Sequence, residues 1–178
     1  MTRARNTGSS LIEVLVTMLI LMLGLLGMAG LQGRALSAQM ESYQRSQALI
    51  LLKDMVDRVN ANRANAASYV TAQARGTGFN SSLVASCAGL SGSGLDLCEW
   101  HNALLGATEV SGSSNVGAMI GARGCVYTTA TNQYLVAVAW QGMSQTATPV
   151  IDCGADQYGS NDAYRRVVAT PITIATLN

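Results

Sequence analysis

Twenty consecutive residues, VLVTMLILMLGLLGMAGLQG, carry no charge between Glu13 and Arg34. As a helix rising 1.5 Å per residue, such a run spans about 30 Å, the thickness of a bilayer's hydrocarbon core. Arg3 and Arg5 precede it with no acid among residues 1–8, which favours a cytoplasmic N-terminus with the rest of the chain translocated. Beyond Arg34 the chain turns polar, yet no proline interrupts it before Pro149, so the helix can continue. Leu49, Leu52, Val56 and Val59 recur at three, four and three, predicting an apolar face to pack on a sheet. Lys53–Asp57 and Asp54–Arg58 fall at i,i+4 as opposite charges on a solvated face, each worth a few tenths of a kcal/mol. Asn60, Asn62 and Asn65 lower helix propensity and place the end between about 60 and 75.

The pattern then changes period. Residues 76–94 and 106–118 are rich in Gly and Ser and read as loops. Cys125–Thr129 and Tyr134–Trp140 flank a short polar link and read as a hairpin. Alternation puts Tyr134, Val136, Val138 and Trp140 on one face of the second strand and Leu135, Ala137 and Ala139 on the other. Val150–Ile151 and Arg166–Thr176 supply expected third and fourth strands, with Pro171 marking an edge or a bulge. The result is an α+β chain, a long N-terminal helix followed by an antiparallel sheet.

Composition sharpens this. Charged residues are 12% of the 178, against about 25% in ordinary soluble domains, while apolar residues reach 49% and mean hydropathy is +0.24. Disorder is excluded, since it needs low hydrophobicity and high net charge. A nucleic-acid binder is disfavoured by a formal charge of +1 and the lack of a basic stripe. The charge deficit is concentrated in the N-terminal run.

Glu13 is the exception at the border of that run. A carboxylate costs about 2.5–3.5 kcal/mol at a membrane helix centre, less near the interface, and normally has a charged partner. A helix N-terminus tolerates an acid by about 0.3–1 kcal/mol, which accounts for tolerance alone. A cleaved secretory signal ending near Met28-Ala29-Gly30 is one alternative, although its apolar core is ordinarily only about 7–15 residues. A plain single-pass anchor is another. The basic leader ending in Gly8, followed by Ser9-Ser10-Leu11-Ile12-Glu13-Val14-Leu15, resembles the class III signal of type IV pilins and type II secretion pseudopilins. The segments Gly24–Gln32, Arg45–Ala48 and Asp57–Arg63 are similar to the PilV family of pilus-modification minor pilins, and the likeness covers about the first 65 residues.

The resemblance implies cleavage between Gly8 and Ser9 by a membrane prepilin peptidase, followed by N-methylation of Ser9. The family usually has Phe and Thr where Ser9 and Ser10 stand. It implies that Glu13, the fifth mature residue, faces the N-terminal amine of a neighbouring subunit and sets axial register. It also implies a pilin-like division: leader 1–8, membrane and filament-core helix 9–33, amphipathic helix half 34–75, and a disulfide-bonded sheet domain 76–178. Loss of Arg3 and Arg5 with the leader takes the formal charge from +1 to −1. Gly24, Gly27, Gly30 and Gly33 each cost a helix about 1 kcal/mol relative to Ala. Small-residue packing between membrane helices explains them, or local loss of helix during assembly.

Cys87, Cys98, Cys125 and Cys153 all lie on the translocated side, where disulfides are the default. Three pairings exist. Cys87–Cys98 with Cys125–Cys153 is favoured, closing a Gly/Ser-rich loop and tying a strand to a later loop, for about 3 and 3.5 kcal/mol by loop entropy. Cys98-x-x-His101 is a weak metal motif, and no metal or cofactor is expected. No nucleophile elbow, P-loop, dinucleotide fingerprint or HExxH helix occurs, so no catalytic residue is assigned. His101 beside Glu99 and Trp100 reads as a surface or hydrogen-bonded histidine. Asp152–Tyr164, including Tyr158, reads as a polar loop available to another subunit.

The resemblance implies a minor pilin that helps prime type IV pilus assembly at or near the tip, supporting adhesion and twitching motility. Expected partners are other minor pilins, the major pilin, the prepilin peptidase and the inner membrane, with no nucleic acid or small-molecule substrate. The sheet domain would be periplasmic before assembly and at the cell surface in the pilus after it. A minor pseudopilin of type II secretion is the nearest alternative. An uncleaved, membrane-anchored periplasmic binding domain is a further one.

Overall fold

The computed structural model describes residues 10–79, 85–107, 110–112, 114–115, 117, 119–159 and 161–175. Its elements are α1 (Leu11–Ala61), a 3-10 helix (Arg63–Tyr69), β1 (Arg75–Gly76), α2 (Gly92–Leu104), β2 (Val110–Ser111), β3 (Ser114–Asn115), β4 (Arg123–Ala130), β5 (Gln133–Gln141) and β6 (Arg165–Thr173). The chain divides into two compact units, Met1–Met40 and Glu41–Asn178.

The N-terminal unit is helix. Its described side chains are all exposed, including Leu11 at 77% and Leu26 at 70%. Helix persists through Gly24, Gly27, Gly30 and Gly33, and a Cβ added at any of them would meet nothing within 4 Å.

In the second unit α1 buries Gln44, Ala48, Leu52, Met55 and Val59. This differs from the stripe expected from the sequence: Leu49 is 46% exposed and Val56 only partly covered. The helix is turned so that Ala48, small enough for close approach, and Met55, flexible enough to fill what remains, join Leu52 and Val59 in the core. The Trp100 indole N–H donates to the Leu51 carbonyl at 2.9 Å, fixing helix rotation against α2. Asparagines end α1. Asn62 leaves helical geometry at φ −116°, ψ 44°, accepts from the Asn65 carboxamide and donates to the Tyr69 hydroxyl.

The main sheet is antiparallel in the order β1-β4-β5-β6. The expected hairpin is β4–β5, with Val126 opposite Val136 and Thr128 opposite Tyr134. Asn132 closes it at φ 56°, a conformation asparagine tolerates. Both faces of β5 are covered. Tyr134, Val136, Val138 and Trp140 join the core with α1 and α2, while Ala137 and Ala139 pack with Cys125, Cys153 and Tyr158 on the opposite face.

Three features depart from the sequence reading. Val150–Ile151 forms no strand: Val150 is 95% exposed, and the Ile151 carbonyl accepts from Arg165. The third neighbour in the sheet is instead β1, two residues long. Helix α2 begins within the last three residues of the expected loop 76–94 and continues through residues to which the sequence reading gave no element, because Leu97, Trp100, His101 and Leu104 gain one buried face that outweighs the helix penalty of Gly92 and Gly94. The last strand runs Arg165–Thr173, and residues 176–178 at its expected end lie outside the described residues.

Two hydrogen bonds fix which way the last strand's backbone points. Gly142 N–H donates to Tyr164 C=O, and Ile174 N–H to Asn132 C=O, so even-numbered positions of β6 bond to β5. Pro171 therefore faces the open edge, where its missing N–H is harmless. Gly124 meets a separate demand. A Cβ there would fall 2.3 Å from the Trp100 ring, so only glycine lets β4 approach α2.

Candidate functional site

The chemistry of the described residues is distributed between the apolar helix and the stapled sheet domain. Among the described residues no group of three or more His, Cys, Asp and Glu is placed to hold a metal ion. Cys98 is bonded to Cys87, and buried His101 accepts the Gly76 N–H on Nδ1 at 2.9 Å with Phe79 edge-on at 5.3 Å. His101 is thus a buried linker between α2 and β1, and the surface placement considered for it is excluded.

The N-terminal part of α1 is apolar enough to cross a membrane, with a mean hydropathy of 2.5 over its best window and no residue of that window buried in the protein. Such a surface needs lipid or other helices around it. Glu13 sits exposed in the first turns of α1, its N–H donating to the Ser10 carbonyl at 2.9 Å. The carboxylate thus stands among Leu11, Ile12, Val14 and Leu15, all exposed. Gly8 and Ser9, the cleavage and methylation positions expected from the sequence, lie outside the described residues.

Two disulfides staple the second unit. Cys87–Cys98 ties the segment before α2 to the helix, and Asn102 continues the tie by bonding both N–H and C=O of Ala85 at 2.8 Å. Cys125–Cys153 joins β4 to the loop after β5. That loop is organised by Arg165, which donates to the carbonyls of Pro149, Ile151 and Cys153 and pairs with Asp162 at 3.0 Å. Asp162 in turn accepts from the Asp156 and Tyr158 N–H groups. Tyr158 is buried, not offered to another subunit: its hydroxyl donates to Gly121 C=O at 2.6 Å, and Arg123 lies over its ring at 4.8 Å.

Charged groups hold α1 to the rest of its unit. Lys53–Asp57 and Asp54–Arg58 both form, at 2.9 and 3.0 Å. Arg58 also reaches α2, contacting Asp96 at 2.9 Å and Glu99 at 2.6 Å, while Tyr69 donates to Asp96. Partial burial opposes the Arg58 charge, but Glu99, Asp54 and Asp96 outweigh it and hold its pKa above the ordinary value. Burial, then the bond to Asp96, raises the Tyr69 hydroxyl above its ordinary 10.0. At the other end, Arg166 of β6 bonds Glu41 at 2.7 Å, Thr146 Oγ1 at 2.6 Å and Ser144 C=O at 2.8 Å. Sequence spacing exposed only the local pairs. Asp96 and Glu99 sit three apart on α2, a signal readable only once that helix is recognised.

The polar groove on the outer face of β4 has a volume of about 420 Å³ and is lined by Gln73, Thr77, Arg123, Tyr127, Asp152 and Gln157 among others.

Two family models match. Residues 3–29 match the prokaryotic N-terminal methylation motif, and residues 30–98 match type IV pilin Tt1218. No curated protein and no solved structure matches the chain.

Proposed function

Because this chain is a type IV pilin with an N-terminal methylation leader, anchored in the inner membrane by its apolar helix before it enters the pilus, we propose that it acts as a minor pilin that helps prime pilus assembly at or near the filament tip. Pilins are structural subunits, and its mechanism is assembly. The prepilin peptidase cleaves after Gly8 and methylates Ser9. The apolar stretch 9–33 enters the filament core, the amphipathic part 34–75 carries it into the sheet domain, and residues 76–178, stapled by two disulfides and periplasmic before assembly, make lateral contacts with other minor pilins and the major pilin. Adhesion and twitching motility follow from that position. The segments Gly24–Gln32 and Asp57–Arg63, similar to pilus-modification minor pilins, favour the pilus over a secretion pseudopilus.

Glu13 supports the reading most: a carboxylate exposed on an otherwise apolar helix, inside the span of the methylation motif. An unpaired charge there is costly in an apolar core, and pairing with a neighbour's N-terminal amine relieves the cost at one axial register only. Glu13→Ala is expected to insert into the membrane normally and to be depleted from sheared pili. Normal recovery of that variant in pili would overturn the register role. N-terminal sequencing of mature chain is expected to begin at Ser9, and an intact Met1 would overturn the prepilin reading.

A further inference from the structure

The second unit exposes a helix face that its own sheet leaves uncovered. Tyr43 and Ile50 on α1 are 52% and 60% exposed, and Gln47 between them is half-buried and donates to the Tyr43 hydroxyl at 3.3 Å. These residues are spaced four and three apart. In the sequence the same alternation runs back through Met40, Leu36, Gly33, Ala29, Leu26, Met22, Leu19, Leu15 and Ile12, and ends after Ile50 at Asp54 and Asp57. From Leu36 to Ile50, where polar residues intervene, Leu36, Met40, Tyr43 and Ile50 hold a seven-residue repeat with Gln47 as its polar member, the pattern of a pairing seam between helices and distinct from the stripe that α1 buries in its own core.

We propose that Tyr43, Gln47 and Ile50 form a seam for the same helix of a second copy of this chain, parallel and in register, in the membrane-anchored subunit before assembly. The proposal rests on the membrane reading for orientation alone: two copies inserted with one topology are necessarily parallel. Three observations choose a second copy over an unlike helix. Gln47 occupies the heptad position where a polar residue specifies register, and its carboxamide, with one N–H given to Tyr43, keeps a second N–H and an acceptor oxygen that are complementary to those of its own copy. The positions flanking the seam are Ser37, Gln39, Gln44 and Ser46, so self-pairing brings no like charges together. Arg34, Glu41 and Arg45 all fall at heptad positions away from it.

All four native cysteines are in disulfides, so an introduced cysteine is the only thiol. In membranes carrying unassembled full-length chain, mild oxidation of Ile50→Cys is expected to give a dimer of twice the chain mass. Its yield should exceed that of Leu49→Cys, exposed but off the seam, by about tenfold. Gln47→Glu placed with Ile50→Cys should lose that dimer at neutral pH, where two carboxylates face each other, and regain it on acidification; a misfolded variant would not regain it. Equal yields at both positions, no dimer from Ile50→Cys, or conjugates only of another mass would overturn the proposal. Recovery in sheared pili is scored separately, so a failed minor-pilin role leaves this result readable.

Discussion

The two units treat apolar helix in opposite ways. In Met1–Met40 the leucines and methionines of the described helix are all exposed, while in Glu41–Asn178 Ala48, Leu52, Met55 and Val59 are almost wholly covered. Composition alone does not separate them, since both parts of α1 hold many apolar side chains. What differs is the placement of charge. The first has none between Glu13 and Arg34; the second alternates apolar positions with Glu41, Arg45, Lys53, Asp54, Asp57 and Arg58. A helix apolar all round is solved by lipid or by other helices, and an amphipathic one by its own sheet.

The sharpest way to break the contrast is in the core. Trp100→Ala removes a fully buried ring and its bond to Leu51, and should cost about 3–5 kcal/mol. Denaturant unfolding of the full chain in detergent should show that loss, with helicity of the first unit retained. Unchanged stability would mean that the second unit does not depend on its core. Next, replacing both Cys125 and Cys153 with Ser should cost about 3.5 kcal/mol by chain entropy, more than the loss of Cys87–Cys98, because the closed loop is longer. Reversal of that order in thermal melts would contradict the entropic account.

A pH series gives a smaller effect. Tyr69, Tyr127 and Tyr158 are all raised above 10.0, chiefly by burial, so the folded state favours their protonated forms. Their contribution is complete below pH 10 and is lost as pH rises through the folded values. Stability should therefore fall in alkali, and Tyr69→Phe should make the fall shallower; an unaltered slope would exclude Tyr69. Smallest of all for stability is Glu13→Ala, which should leave the unfolding of the second unit unmoved while it impairs incorporation into pili.

Local periodicity explains what was legible. The β4–β5 hairpin followed from alternation, because each face of β5 packs against a different layer and the sequence records both. The end of α1 followed from its asparagines, which bond side chain to side chain once helix stops. The buried stripe was legible only to within a fraction of a turn: Leu49 and Val56 satisfy a helical period as well as Ala48 and Met55 do, and Trp100, distant in sequence, decides between them. Helix α2 was hidden because glycines at its start carry a propensity that tertiary burial overrides. Arg58–Glu99 and Arg166–Glu41 span 41 and 125 residues, and no spacing rule reports them. Of the candidate site, the pairing of the cysteines was legible, because each closes onto a partner near in sequence. Tyr158 was illegible because a polar loop looks the same in sequence whether its aromatic points outward or beneath it.

Pro171 carries a consequence beyond its own strand. An unpaired strand edge is a template for cross-β growth. At the other edge, β1 pairs with Arg123 and Gly124, and Thr71 exchanges hydrogen bonds with Val126. On β6 a proline interrupts the row of outward N–H groups. Fibre growth by strand stacking is therefore blunted at that edge, and the sheet resists adding a foreign strand there.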